Sequence, residues 1–469
     1  MVDLYNPNFF AHAVTVGFFF LSVSVFKKYP TRIAIVLIVV GGWMLLPQIQ
    51  YSIHLLPFHT KSDGIFLALL LGILIKDPSA FTRYRFHWID IPMISWCILP
   101  YFTSVHNELG AYDGVQASVE QFVDDGIPYI VGRLYFGNYP ALKDLGLGML
   151  IGALVILPLV VVELKMSPQM HTWIYGWYPH SFAQTIRDGG YRPSVFMSHG
   201  LELAIWNSAA AFMGWQMYLR KTITKEIPII KIRILPAIII LTLVFLRSHS
   251  SGAIALFLIA MIVYEMGIRL RTTLPILALC ILPILYVSLR GSGAWDGQNF
   301  IQLSEKVTGS ADRASSLEYR MLNENLLSEK AREHLLVGWG RFGRNFIKDE
   351  EGKIITVADG RWIIVFGENG IIGLSANILI MTLPAVLFFL KIPSRLLRDP
   401  VVAPAAVFAT FLLITLIDNL FNNMGNPVLI ISCGGLSTLV MQPRSNLEMG
   451  QAPEKMTIPP VPAIPTRVI

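Results

Sequence analysis

Apolar windows near twenty residues long, separated by short polar interludes, recur along most of this 469-residue chain. They fall at 9–26, 33–52, 64–75, 88–104, 141–163, 197–219, 229–247, 251–268, 273–289, 370–390, 400–420 and 425–441. Each predicts a helix. Together they predict an all-α polytopic membrane protein of about 12–13 transmembrane helices. The thirteenth is a shorter apolar piece at 127–138, after Asp124-Asp125, which either spans or re-enters the bilayer.

The same pattern sets the organisation. N-terminal transmembrane helices occupy 1–289, a large polar interval 290–368, C-terminal transmembrane helices 369–442, and a tail 443–469. The interval is long enough to fold and predicts a helix over 316–334, with Leu317, Leu322, Leu326 and Leu327 as its apolar face. The proline-rich tail, without periodicity, predicts a disordered cytoplasmic segment. No internal repeat is visible, which counts against an inverted-repeat transporter.

Orientation follows from basic residues in short loops. Lys27, Lys28 and Arg32 mark one loop as cytoplasmic; Lys76, Arg83 and Arg85 mark the next. The 220–233 cluster, Arg269 with Arg271, and Lys391 with Arg395 and Arg398 mark three more. Alternation then puts the loop at 164–196 and the interval 290–368 on the outer, periplasmic side. The acidic 105–126 loop reads as outer too, so the chain must cross back at 127–138. The same parity puts the N-terminus outside.

Composition supports this class. Charged residues make up 14% of the chain, against about 25% in soluble domains. The net charge of +6 suits cytoplasmic loops beside anionic lipid. Cys97, Cys280 and Cys433 lie in apolar stretches and read as core residues, not a disulfide framework. The N-terminus lacks a basic leader, so 9–26 reads as a retained span. Within 290–368 the two signs of charge nearly balance, which excludes a nucleic-acid patch.

Candidate chemistry lies in the outer segments. The loop 164–196 carries His171, Trp173, Tyr175, Trp177, Tyr178 and His180, either an interfacial belt or a platform for sugar rings. Arg192 stands between Gly189-Gly190 and Pro193, a shaped turn before a span; a snorkelling anchor is the plainer reading. Arg320 lies near the apolar face of the 316–334 helix, where a salt bridge to Glu324 would also account for it. Arg133, inside the short apolar piece, needs a cavity or a partner. Gly338-Trp-Gly-Arg-Phe-Gly-Arg344 lacks the order of a nucleotide loop, and its glycines predict a closely packed turn.

Arg192, Arg320, Arg133 and Arg247 on or near the outer side point to an anionic substrate, because a guanidinium binds two phosphate oxygens at once. An isoprenoid diphosphate, with its tail in the bilayer, meets these constraints. No metal motif or cofactor signature is present, so arginines would neutralise a departing diphosphate.

The sequence resembles the O-antigen ligase and O-antigen/exopolysaccharide polymerase family of bacterial membrane glycosyltransferases. Arg192-Pro-Ser-Val-Phe-Met-Ser-His-Gly resembles its arginine motif before a span. Ser316-Leu-Glu-Tyr-Arg320, followed by Leu335-Leu-Val-Gly-Trp-Gly340, resembles its pattern in the large periplasmic loop. Gly367-Glu-Asn-Gly-Ile-Ile-Gly-Leu374 resembles the lead into its next helix. The plan of about a dozen spans with one large outer loop covers nearly the whole chain.

The resemblance implies metal-independent, inverting transfer of a glycan from a polyprenyl diphosphate to an acceptor hydroxyl at the periplasmic face of the inner membrane. By position, Arg192 and Arg320 would bind the diphosphate. Ligases of the family have a histidine nine residues before the glutamate matching Glu368; here that position is Asp359. Asp359 preserves a proton acceptor or is a plain Asp-Gly turn. Glu318 and Glu368 are reserve candidates, and Glu368 could instead cap the helix beside it. The first expectation is a polymerase joining carrier-linked repeat units, alone or with other polysaccharide-assembly proteins. The second is a ligase to a lipid or protein acceptor. A transporter or flippase of a lipid-linked glycan is the rival of another class.

Overall fold

The computed structural model describes residues 6–51, 60–187, 189–301, 311–444 and 447, without the side chains of 311–316. The tail at 445–469, apart from Leu447, therefore lies outside the described residues, and with it the expectation of disorder there. The chain is 71% helical. Among the described residues the strands are two short hairpins, Ile186–Arg187 with Gly190–Tyr191 and Glu226–Ile227 with Ile232–Arg233.

The helices are α1 (Phe9–Lys28), α2 (Thr31–Leu45), α3 (Lys61–Lys76), α4 (Ile91–His106), α5 (Ala111–Gln121), α6 (Ile127–Tyr135), α7 (Tyr139–Met166) and α8 (Met170–Tyr175). They continue as α9 (Gly200–Leu219), α10 (Ile234–Leu246), α11 (Ser251–Arg269), α12 (Leu274–Gly291) and α13 (Ala311–Glu333). The last are α14 (Arg361–Lys391), α15 (Ala403–Asp418) and α16 (Pro427–Val440). Among the described residues five of them, α1, α7, α11, α12 and α14, are long and apolar enough to cross a membrane. Shorter apolar helices, including α2, α10, α15 and α16, pack with them.

Contacts at helix termini define two ends of this bundle. At the head, Asn8 N–H donates to Tyr175 O (2.9 Å), Lys61 Nζ to Phe196 O (2.9 Å) and Asn107 Nδ2 to Gly338 O (2.8 Å). At the base, Tyr135 Oη donates to Asp77 (2.9 Å), Thr222 to Pro400 O (2.7 Å) and Gln442 to Gly137 O (2.8 Å). Among the described residues the chain runs between these ends along α1, α2, α3, α4, the bent α5–α6 pair, α7, α9, α10, α11, α12, α14, α15 and α16. That makes thirteen traverses. The stretch 127–138 holds α6, which continues α5 through a π-turn at Phe122–Gly126 with Pro128 just beyond. The N-terminal helix starts at the head, which also carries 290–301 and 317–360.

The interval's helix begins earlier than the pattern predicts, at Ala311, and its buried stripe is rotated from the predicted one. Met321, Glu324, Leu327, Ser328 and Ala331 face inward, whereas Leu322 is 56% and Leu326 39% exposed. The cause is a buried ion pair. Arg290, in the last turn of α12, reaches Glu324 Oε2 at 3.1 Å, and Tyr286 Oη donates to the same oxygen at 2.8 Å. A buried guanidinium holds its carboxylate strongly, so Glu324 is not the partner of Arg320.

Helix α14 also differs from expectation. It starts at Arg361, not near 370, and its N-cap is Gly360, so Glu368 lies inside the helix and does not cap it. The polar residues Arg361, Glu368 and Asn369 hide its first turns from a hydropathy window. The helix breaks at Gly370 (φ 61°, ψ −164°), and the segment 335–340 fills the break. Ile371 N–H donates to Leu335 O (2.8 Å), Trp339 N–H to Gly367 O (2.8 Å) and Gly340 N–H to Glu368 O (2.9 Å). A Cβ on Gly338 would lie 2.4 Å from the Glu368 carbonyl carbon. The two glycine-rich motifs are thus one backbone-to-backbone clasp.

Candidate active site

The clasp fixes Arg341 and α14 against each other, and the polar groups of the head assemble around them. Arg320 Nε lies 3.0 Å from Asp359 Oδ2, with both side chains partly exposed. Asp359 precedes the Gly360 cap. The next residue, Arg361, donates to Asn377 Oδ1 (3.3 Å) and Asn423 Oδ1 (3.2 Å) and lies 3.7 Å from Asp125 Oδ2. The ion pair therefore leads, through one glycine, into the wall of a cavity.

That cavity, about 310 Å³, lies in the head half of the bundle between α3, the α5–α6 bend, α14 and α16. Asp124, Asp125, Arg341, Arg361 and Glu368 line it together with Trp96. Trp96 Nε1 donates to Asp125 Oδ2 at 2.7 Å, and the Arg361 guanidinium sits 5.8 Å from the indole centroid. Arg341 pairs with Glu120 at 3.4 Å. The Glu368 carboxylate faces the cavity beside these two arginines and makes no hydrogen bond among the described residues. A carboxylate so placed can accept a proton from a hydroxyl bound there.

Arg192 and Arg247 occupy another corner of the head. Arg192 is buried, its Nη2 donating to His249 O at 3.1 Å, and Arg247 is exposed two residues before that histidine. This corner is built on α9–α11. Helix α15 packs between it and α14, touching α9 and α11 on one side and α14 on the other. The aromatics of 164–196 cluster together, and Trp177, Tyr178 and His180 line a cavity of about 700 Å³. His171, Tyr175, Trp177 and Tyr178 are buried, and Trp173 alone among them is 56% exposed.

Arg133 is elsewhere. It pairs with buried Asp90 at 2.8 Å and donates to Thr438 Oγ1 at 2.7 Å, at the base. Helix α4 separates Asp90 from Asn107 and the clasp by its full length, about 24 Å at 1.5 Å per residue. Arg133 thus has its partner and does not share the Arg320 site. Glu318 stands on the exposed face of α13, away from the cavity lining.

The sequence pattern does not single out Asp124, Asp125, Arg341 or Arg361 as site residues. Its usable signal was the Asp-Asp pair directly before a short apolar segment, a costly place for two carboxylates. Among the described residues no three His, Cys, Asp or Glu side chains gather as a metal site would require. No protein-family model matches this chain, and no curated protein matches it.

Proposed function

We propose that this protein is a polysaccharide polymerase with 12–13 membrane spans. It joins polyprenyl-diphosphate-linked oligosaccharide units at the outer face of the bacterial inner membrane. One arrangement supports this reading: the Arg320–Asp359 ion pair is joined through Gly360 to Arg361, in the wall of a polar cavity that the unbonded carboxylate of Glu368 also lines. In the reaction, an acceptor hydroxyl oxygen bonds to the anomeric carbon of the donor sugar. The bond from that carbon to the diphosphate oxygen breaks, and the electron pair leaves with the polyprenyl diphosphate. Glu368 takes the acceptor proton. Arg320, oriented by Asp359, neutralises the departing diphosphate, a role whose loss typically costs on the order of 100- to 1000-fold. Asp359 is a positioning residue here, because its carboxylate is already engaged by Arg320.

The Arg192–Arg247 corner favours polymerisation over ligation. A polymerase handles two carrier diphosphates, one on each substrate, and two arginine groups separated by α15 suit two carriers. The test uses protein in lipid nanodiscs with a polyprenyl-diphosphate oligosaccharide, following chain length on a gel. A ladder in wild type, lost in Glu368→Gln and Arg320→Ala while both variants stay monodisperse, is the expected result. A single transferred product identifies a ligase. Movement of substrate across a bilayer without transfer identifies a transporter and ends the enzyme reading.

A further inference from the structure

The cavity carries more information than the position of Glu368. Its walls hold three carboxylates, Asp124, Asp125 and Glu368, against two guanidiniums, Arg341 and Arg361. Both guanidiniums are already countered, Arg341 by Glu120 at 3.4 Å and Arg361 by Asp125 at 3.7 Å. Neither guanidinium is thus left over to hold a phosphate in the cavity. The anionic part of a substrate belongs with Arg320, outside the cavity.

Three buried polar atoms of wall residues have no hydrogen-bond partner among the described residues: Asp124 Oδ1, a carboxyl oxygen, and two donors, Asn426 Nδ2 and Trp43 Nε1. Such groups cost about 1–3 kcal/mol each when left unmet. The other atom of the Asn426 amide, Oδ1, is fixed because it accepts Val428 N–H at 3.1 Å and caps α16. Its Nδ2 is therefore held in place as a donor. A ligand meeting these atoms must offer both donors and acceptors, as hydroxyl groups do. Trp43 and Trp96 add indole surface to the same wall, suited to the apolar C–H face of a sugar ring. A volume of about 310 Å³ lies at the small end of ligand pockets, about 300–1,000 Å³.

We infer that this cavity binds an uncharged sugar ring and is the acceptor subsite of the transfer reaction. The word acceptor rests on the transferase reading; the ligand class rests on the cavity alone. In this arrangement Asp124 and Asn426 hold ring hydroxyls, and the hydroxyl that reacts points toward Glu368. Arg320 and Asp359 hold no part of this ring.

The test is saturation-transfer NMR on the full chain in nanodiscs, with free hexoses, free N-acetylhexosamines and inorganic diphosphate as probes. At least one sugar is expected to bind saturably. Asp124→Asn and Asn426→Asp, both near-isosteric and the second retaining the helix cap, are each expected to weaken it roughly tenfold. Arg320→Ala is expected to leave it unchanged. Absence of saturable binding by every sugar, equal binding in both cavity variants, or competitive displacement by diphosphate overturns the inference. Sugar binding that responds to the cavity variants, in a protein that transfers no glycan, upholds the ligand class and removes the transferase reading. Glycan transfer without sugar binding removes the cavity proposal alone.

Discussion

Arg320 Nε lies 3.0 Å from Asp359 Oδ2, an ion pair between α13 and the turn that opens α14, with side chains 32% and 42% exposed. Exposed pairs of this kind are worth about 0–1 kcal/mol, so stability is a weak reason for it. Arg320→Ala and Asp359→Asn should each leave the thermal midpoint nearly unchanged while glycan transfer falls roughly 100-fold or more. The exchanged pair, Arg320→Asp with Asp359→Arg, restores the contact and should not restore transfer. A double exchange that recovers activity would make the pair merely structural.

Gly370 and Leu336 set the shape of the head. Gly370 has φ 61° and ψ −164°, and a Cβ there would lie 2.4 Å from the Leu336 carbonyl. That backbone region is essentially confined to glycine, with a strain of about 1–3 kcal/mol before any clash. Gly370→Ala should therefore lower the thermal midpoint and abolish transfer together, because Arg341 and Glu368 lose their common frame. Gly252→Ala, at a position with open space around it, is the control and should change neither.

The traverses of the bundle were legible because length and apolarity decide them locally. Parity alone pointed to 127–138, where the chain folds as the bent α5–α6 pair. The start of α14 was not legible, since Arg361, Glu368 and Asn369 break the apolar run and are satisfied only by the segment 335–340. The cavity was still less so. Asp124 and Asn426 are remote in sequence, and only the packing of the α5–α6 bend, α14 and α16 brings them to one wall. Arg133 read as an unexplained charge because its partner, Asp90, belongs to a turn before another helix.

The Arg133–Asp90 pair, with side chains 8% and 0% exposed, also hydrogen-bonds Thr438 and Tyr129. Removing one partner of a buried pair leaves an uncompensated charge and costs about 3–5 kcal/mol. Arg133→Ala should cut expression and the thermal midpoint sharply. The double replacement Arg133→Met with Asp90→Leu should recover a large part of the loss. Transfer per folded molecule should stay near wild type in the double variant. A specific loss of transfer there, with normal folding, would return Arg133 to the list of substrate-binding groups.

Acid should weaken the head through His171. Its imidazole is fully buried; Gln48 N–H donates to Nε2 (3.1 Å), and Nδ1 faces Trp177 O at 2.6 Å. This arrangement fits the neutral ring protonated at Nδ1, because a proton on Nε2 would confront the Gln48 donor. Burial first, and the Lys61 charge in addition, hold the group down at about 4 against an ordinary 6.5, while the Trp177 carbonyl works the other way. The unfolded chain then takes up the proton at higher pH than the folded one. Stability is therefore full above about 6.5, falls as the pH drops toward 4, and loses no more from this group below that; the loss is about 3 kcal/mol. Chemical denaturation of the nanodisc-embedded protein at stepped pH measures it. His171→Gln should start from lower stability and show a flatter acid limb. An unchanged slope in that variant would assign the acid sensitivity to other groups.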